Sequence, residues 1–287
     1  PFPLAGRPDG GLFVGGMLLG PFERDFEPGS ATHLSLNAAL ASLDADGTSE
    51  WARLFGNGSG YWAYDVELTP DLGVVMVGSG NGDVGGDHIG ASDVFVISYD
   101  SVGNRRWANR FGTKLFDGAT AVTRSDDRYF VTGYLSRSWE DPYGRGEFWF
   151  VAALSDEGEL LWLRQYENQR HYREERPMNA ANPSAGREVV LLPDGGALVA
   201  GVTHGSMAGR AHHGGADVFL ARFSPEGELL WLEQFGAVGD DEVLGLAVGP
   251  EGGIRLGVGG EGSATLYELK DDPEPRVVAT ELEVDAG

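Results

Sequence analysis

An all-β fold built from repeated four-stranded antiparallel units is predicted, and three observations predict it. Glycine supplies 45 of the 287 residues, about twice the usual share, which favours many tight turns between short strands. A unit of apolar strand, Asp/Gly turn and tryptophan-bearing strand recurs along the chain. A second unit, a turn followed by a strand that ends in glycine, alternates with it.

The first unit reads NAALASLDADGTSEW, DVFVISYDSVGNRRW, FWFVAALSDEGELLW and DVFLARFSPEGELLW, ending at Trp51, Trp107, Trp162 and Trp231. A fifth, degenerate copy, SATLYELKDDPEPRVV, has valine at the tryptophan position. The second unit reads DGGLFVGG, DLGVVMVGSG, SDDRYFVTG, PDGGALVAG and PEGGIRLGVGG. Short strands such as YDVEL, ATAVT, REVVL and EVLGLAV precede the later copies. Each period therefore holds four strands and two tight hairpins, the pattern of a propeller blade. Five copies predict a single five-bladed β-propeller of four-stranded antiparallel blades. Written from the first unit, the repeats fall near residues 33–80, 92–135, 147–202, 216–260, and 263–285 with or beside 1–19. Either the chain starts and ends at a blade boundary or its two ends complete one blade together. The competing architecture, a β-sandwich or a pair of small β-domains, does not require matched repeats.

The segment Asp217 to Gly260, DVFLARFSPEGELLWLEQFGAVGDDEVLGLAVGPEGGIRLGVGG, resembles the bacterial SBBP-type β-propeller repeat family, and Asp93 to Gly133 follows the same pattern. That pattern runs D-x-F-x-x-K/R, D-x-x-G, W, G-x-x-x-D, then a glycine-terminated strand. The resemblance covers nearly the whole chain. The family name implies seven blades, whereas this chain has material for five. It further implies an exported or envelope-associated repeat protein and no catalytic set.

Bulk chemistry narrows the function. The apolar fraction of 41% is enough for a full core, and the net charge is −23. Such a chain repels phosphate backbones and anionic membrane surfaces, so no nucleic-acid partner is expected. No apolar run reaches the 18 residues or so of a membrane span, so no direct membrane insertion is expected. The absence of cysteine excludes disulfides, thiolate zinc sites and thiol catalysis. The chain opens on PFPLAG without an initiator methionine. It is read as a processed product whose export signal has been removed, placing it extracellular, in the periplasm or at the cell surface.

In a four-stranded blade, alternate connections share a face. The short turns lie on one side; the long connections 20–32, 80–92, 136–146, 165–186 and 204–215 lie on the other. Unequal loops on a rigid scaffold carry function, so that face is the expected site. The insert QYENQRHYREERPMNAANPSAGRE concentrates arginines with aromatics; Arg170, His171, Tyr172, Arg173 and Arg176 are its candidate ligand-binding residues. Its alternative is a short surface helix with Arg–Glu pairs. Trp62, Trp139 and Tyr143 bring aromatic surface to the same face, suited to a sugar ring. The Gly-rich loop NGDVGGDHIGASD gathers Asp83, Asp87, His88 and Asp93 as candidate calcium ligands, though its spacing is not that of an EF-hand. The adjacent His212 and His213 are expected to point opposite ways, as neighbours on a strand or extended loop do. The repeated tryptophans read as packing between blades. Asp93 and Asp217 read as partners of turn backbone.

No G-x-S-x-G, HExxH, P-loop or Cys–His arrangement occurs. The expected function is therefore a non-catalytic exported or envelope module that binds a protein or glycan partner, with no required cofactor. A structural part of a larger envelope assembly is one alternative. A polysaccharide-cleaving propeller enzyme using Asp65, Asp117, Glu188 or Asp241 is another.

Overall fold

The structure is a computed structural model, and it describes residues 2–19, 36–55, 60–82, 84–87, 89–136, 148–167, 184–260, 263–270 and 277–282. Among these residues all regular structure is strand, arranged as five four-stranded antiparallel sheets. Sheet I holds β1 (Leu4–Gly6), β2 (Leu12–Leu19), β3 (Leu36–Leu43) and β4 (Ser49–Phe55). Sheet II holds β5 (Tyr61–Leu68), β6 (Val74–Gly80), β7 (Asp93–Tyr99) and β8 (Arg105–Phe111). Sheet III holds β9 (Gly118–Arg124), β10 (Arg128–Leu135), β11 (Phe148–Ser155) and β12 (Leu160–Glu167). Sheet IV holds β13 (Ala185–Leu191), β14 (Ala197–Thr203), β15 (Asp217–Phe223) and β16 (Leu229–Phe235). Sheet V holds β17 (Glu242–Val248), β18 (Gly253–Gly260), β19 (Ser263–Lys270) and β20 (Val277–Leu282).

Each sheet is one continuous stretch of chain with its strands in sequence order, so the two chain ends share no sheet. The sheets begin on the strand before the glycine-terminated unit, half a period from the frame set by the tryptophan unit. A tandem repeat reads the same in either frame; only hydrogen bonding fixes the phase.

The sheets stack face to face in chain order. Four hydrophobic cores lie between them, joining I to II, II to III, III to IV and IV to V. Middle strands are covered on both faces, which is why they read as unbroken apolar runs rather than alternating ones. On β6, Val74 and Met76 face sheet I, while Val75 and Val77 face sheet III. The leading strands β1, β5, β9, β13 and β17 pack successively side by side. The arrangement is propeller-like.

The repeated tryptophan follows from this stacking. A β-bulge precedes it on each fourth strand of sheets I to IV, so that Trp51, Trp107, Trp162 and Trp231 pair with Ser42, Ser98, Ala153 and Arg222. The first three reach the next sheet. Trp51 donates its indole N–H to the Ser101 carbonyl (2.9 Å), Trp107 to that of Asp156 (2.7 Å) and Trp162 to that of Pro225 (3.3 Å). Each acceptor is the second residue of the next sheet's D-x-x-G-type turn. The indoles lie on the turn glycines: a Cβ at Gly103, Gly158 or Gly227 would stand 2.7, 2.4 or 2.8 Å from the ring. These glycines also hold φ near +80°, a conformation other residues adopt at a cost. The D-x-x-G…W spacing is thus the signature of one sheet locking onto the next.

Candidate functional site

The first-to-second-strand and third-to-fourth-strand hairpins leave from one end of the sheets; the second-to-third-strand connections, from the two residues between β18 and β19 to the sixteen between β2 and β3, leave from the other together with the inter-sheet connections. This is the side on which the sequence placed the long loops. Arg170, His171, Tyr172, Arg173, Arg176, Trp139 and Tyr143 lie outside the described residues, as do Asp83 and His88. Trp62 is half-buried on the leading strand β5, its ring beside Gly60.

Of the remaining candidate calcium ligands, Asp87 is exposed in the loop. Asp93 is fully buried and accepts from the backbone N–H groups of Ile89 (3.0 Å) and Gly90 (3.1 Å) and from Arg110 Nη1 (2.9 Å). That carboxylate is thus ion-paired with the Arg110 guanidinium inside the sheet. Among the described residues no group of three or more His, Asp or Glu is placed to hold a metal ion. Asp217 repeats the arrangement on sheet IV, accepting from the His213 N–H (3.0 Å) and from Gln234 Nε2 (2.6 Å). His212 and His213 do not point apart. Both bring Nδ1 towards Asp217, at 3.2 and 3.7 Å. The reason is that residues 211–216 lack the regular pleat of a strand, so an extended loop does not enforce the alternation expected of it.

The four carboxylates weighed for glycoside cleavage divide into two structural pairs. Asp117 and Asp241 fold the inter-sheet connections back on themselves. Asp117 accepts from Thr113 Oγ1 (3.1 Å), the Thr113 N–H and the Ser136 N–H (2.9 Å); Asp241 accepts from the Ala237 N–H (2.9 Å). Burial pushes Asp117 up to about 6. Asp65 and Glu188 instead join leading strands. Asp65 accepts from its own neighbour Val66 N–H (2.8 Å) and, across the sheet boundary, from Val122 N–H (2.9 Å). Glu188 accepts from Leu246 N–H on sheet V (2.8 Å). Thr120 supplies the intervening link, donating to the Gly186 carbonyl at 2.6 Å.

These links stand on a shared irregularity. Strands β5, β9, β13 and β17 each carry a bulge at the same level, at Tyr64, Thr120, Arg187 and Leu244. A bulge turns two successive side chains to one side. On β5 it adds Tyr64 and Asp65 to the wall that also carries Trp62 and Glu67. Tyr64 is 43% exposed and Leu244 54% exposed, so the wall formed by the leading strands meets solvent. Burial, with Asp65 close by, pushes Glu67 up to about 7; burial pushes Asp65 up to about 6. Glu188 is raised by the same cause. Of this wall's residues, Arg187 closes the Arg-rich insert and Tyr64 closes the aromatic stretch YWAY, both marked in the sequence, while Glu67 and Tyr134 were not marked there. The available signal was the variation Tyr, Thr, Arg, Leu at one position of an otherwise regular repeat.

No protein-family model matches the chain, and no curated protein does. Solved structures do. Hydrazine synthase of Kuenenia stuttgartiensis superposes with a TM-score of 0.52 at 13% identity, over 93% of this chain and 76% of that one. An apocarotenoid oxygenase of Synechocystis gives 0.48 at 11% identity, over 96% of this chain and 58% of that one. A puromycin hydrolase gives 0.48 at 14% identity, over 98% of this chain and 39% of that one. The chain thus spans well under two thirds of the oxygenase and the hydrolase. At such identities the likeness to hydrazine synthase concerns the fold alone.

Proposed function

We propose that the five sheets close into a five-bladed β-propeller acting as a non-catalytic binding module, with its long-loop face recognising a protein or glycan partner. The observation that carries this reading is the division of labour between repeated and unrepeated residues. Asp93, Asp117, Asp217 and Asp241 hold backbone within or beside their own sheets, while Asp65, Glu188 and the tryptophans hold one sheet to the next. The repeat is spent on scaffold. What differs between repeats is concentrated where strand ends lie far apart in sequence, such as Leu19 to Leu36 and Glu167 to Ala185, against hairpins of three to six residues opposite. Variation on one face of a fixed frame is the arrangement of recognition loops. The acidic chain and the SBBP-type repeat pattern support an exported or cell-surface setting for such a module.

A glycan array and a cell-envelope protein extract, each probed with the biotinylated protein, test the proposal. Selective binding that disappears in the Arg170→Ser/Arg173→Ser/Arg176→Ser variant, at unchanged melting temperature, is expected. Polysaccharide cleavage abolished by Asp65→Asn would replace the proposal with the enzyme reading. No selective binding to either probe would remove it.

A further inference from the structure

One buried device occurs twice in the molecule, with different chemistry. On sheet II, Asp93 holds the Ile89 and Gly90 N–H groups, and its charge is balanced by Arg110. On sheet IV, Asp217 stands at the equivalent place and is just as inaccessible. The residue equivalent to Arg110 is there Gln234: Arg110 pairs with Phe95 across the sheet as Gln234 pairs with Phe219. Gln234 donates to Asp217 Oδ2 (2.6 Å) and to the Gly205 carbonyl (3.3 Å), and accepts from the Met207 N–H (3.0 Å). It supplies hydrogen bonds to both arms of the loop 204–216 but no charge.

The groups able to charge against Asp217 come from the loop itself. His212 Nδ1 lies 3.2 Å and His213 Nδ1 3.7 Å from Oδ2, the oxygen that also accepts the His213 N–H. The other oxygen, Oδ1, is covered by Gly236, where a Cβ would stand 2.4 Å from it. A carboxylate shut away from water is costly unless a positive charge stands against it. Imidazole is the side chain whose charge changes between about pH 5 and pH 8. The balancing charge is therefore fixed on sheet II and conditional on sheet IV. Neighbouring groups keep it conditional. Arg210, the loop's own fixed cation, is turned to Glu233 (2.8 Å) and to the Leu232 carbonyl (3.2 Å) on β16. Asp240 and Asp241, on the connection to sheet V, add negative charge: Asp240 accepts from the Ala216 N–H (2.8 Å) and Asp241 from the Ala237 N–H (2.9 Å). Burial raises Asp241, Asp217 and Asp240 add to that, and His213 opposes it. Tyr267 of β19 faces Asp241. His204, at the start of the loop, donates its backbone N–H to Ser184 Oγ (3.0 Å).

We propose that His212 and His213 make the loop 204–216 a pH-operated clamp. Protonated, they pair with Asp217 and hold the loop on sheet IV; neutral, they let it open. The clamped loop takes up protons, so it is favoured as pH falls and loosens as pH rises through the imidazole range. The grip of Asp93 on Ile89 and Gly90, balanced by an arginine that stays charged, does not respond over the same range. The loop leaves from the same end of the sheets as the other second-to-third-strand connections, so the clamp changes what that face presents. It stands whether or not the face binds a partner.

Amide hydrogen exchange of the whole chain, resolved by residue and corrected for the intrinsic rate at each pH, tests it. Protection of the amide at position 213 should fall about tenfold between about pH 5.5 and pH 8, while the Ile89 and Gly90 amides serve as internal controls and change less than about twofold. In His212→Gln/His213→Gln the amide at 213 should be weakly protected at both pH values. Asp217→Asn should remove the pH dependence by taking away the other half of the pair. His204→Gln should leave it as in the parent. The double histidine variant should also melt as the parent does at about pH 8, where the parent's imidazoles are neutral. Equal protection at position 213 across the range, a dependence that survives in the double variant or in Asp217→Asn, or one lost in His204→Gln would each overturn the proposal. So would an equal response at Ile89 and Gly90, which would place the change in the whole fold and not in this loop.

Discussion

The indole of Trp107 donates to the Asp156 carbonyl of the following sheet at 2.7 Å, with its ring against Gly158. The contact recurs at Trp51 and Trp162, so a single geometry fastens sheets I to II, II to III and III to IV. It predicts an asymmetry among glycines that look alike in sequence. Gly158→Ala places a Cβ into the Trp107 ring and strains a left-handed backbone, for a cost of about 2–4 kcal/mol. Gly47 has the same turn position in sheet I and a φ of 79°, with nothing within 4 Å of its would-be Cβ. Gly47→Ala should cost only the backbone strain, about 1 kcal/mol. Urea unfolding of the two variants checks the difference.

The same turn position predicts a stabilising change. Leu72 takes the place of the turn glycine in TPDLG and holds a φ of 64° with 39% of its surface exposed. Leu72→Gly relieves that strain and removes little packing. Its stability should rise by about 0.5–1 kcal/mol, the strain relief exceeding the added entropy of the unfolded chain. A higher urea midpoint is the expected reading.

The buried pair Asp93–Arg110 predicts a large loss. Both side chains are essentially inaccessible, at 0% and 1% exposure. Asp93→Ala takes the carboxylate away from a buried guanidinium, which costs about 3–5 kcal/mol. At Asp217 the fourth-strand partner is the neutral Gln234. Asp217→Asn there should cost less, about 1–3 kcal/mol. Thermal melts of the two variants rank them.

The carboxyls of the leading-strand wall predict a pH dependence of stability. Asp65 rises from 3.8 to about 6 and Glu67 from 4.5 to about 7, both chiefly through burial. A carboxyl with a higher pKa in the fold binds more protons folded than unfolded. Its contribution is therefore favourable at low pH and is lost as pH rises through the folded value. Unfolding free energy should fall between pH 5 and pH 8, by an amount on the order of 2 kcal/mol from these two groups. Charge repulsion across an acidic chain acts in the same direction, so the comparison is with Asp65→Asn/Glu67→Gln in high salt. The pH dependence of that variant should be smaller than the parent's.

The sequence disclosed the strands because their residues repeat. The tryptophan spacing carried the packing between sheets, and the position of Asp93 and Asp217 before a strand carried their grip on loop backbone. Where one sheet ends and the next begins was not legible, since hydrogen bonding alone sets that phase. The placement of Arg187 and Tyr64 on the leading-strand wall escaped for a different reason. It depends on a bulge that shifts alternation by one, and Tyr134 joins from another strand because Gly118 makes room for it. Neither leaves a periodic mark. The proximity of His212 and His213 to Asp217 was hidden in the same way, by a loop that does not keep the alternation expected of an extended segment.

The account rests most heavily on five sheets closing into one compact ring, because only then do the long loops share a face and the leading strands a common interior. Small-angle X-ray scattering measures this directly. A closed ring of 287 residues should give a radius of gyration near that of a compact domain, about 19 Å, with a single symmetric peak in the distance distribution. A radius of gyration well above about 25 Å, with a skewed and extended distribution, would mean an open arc of sheets and would contradict the account.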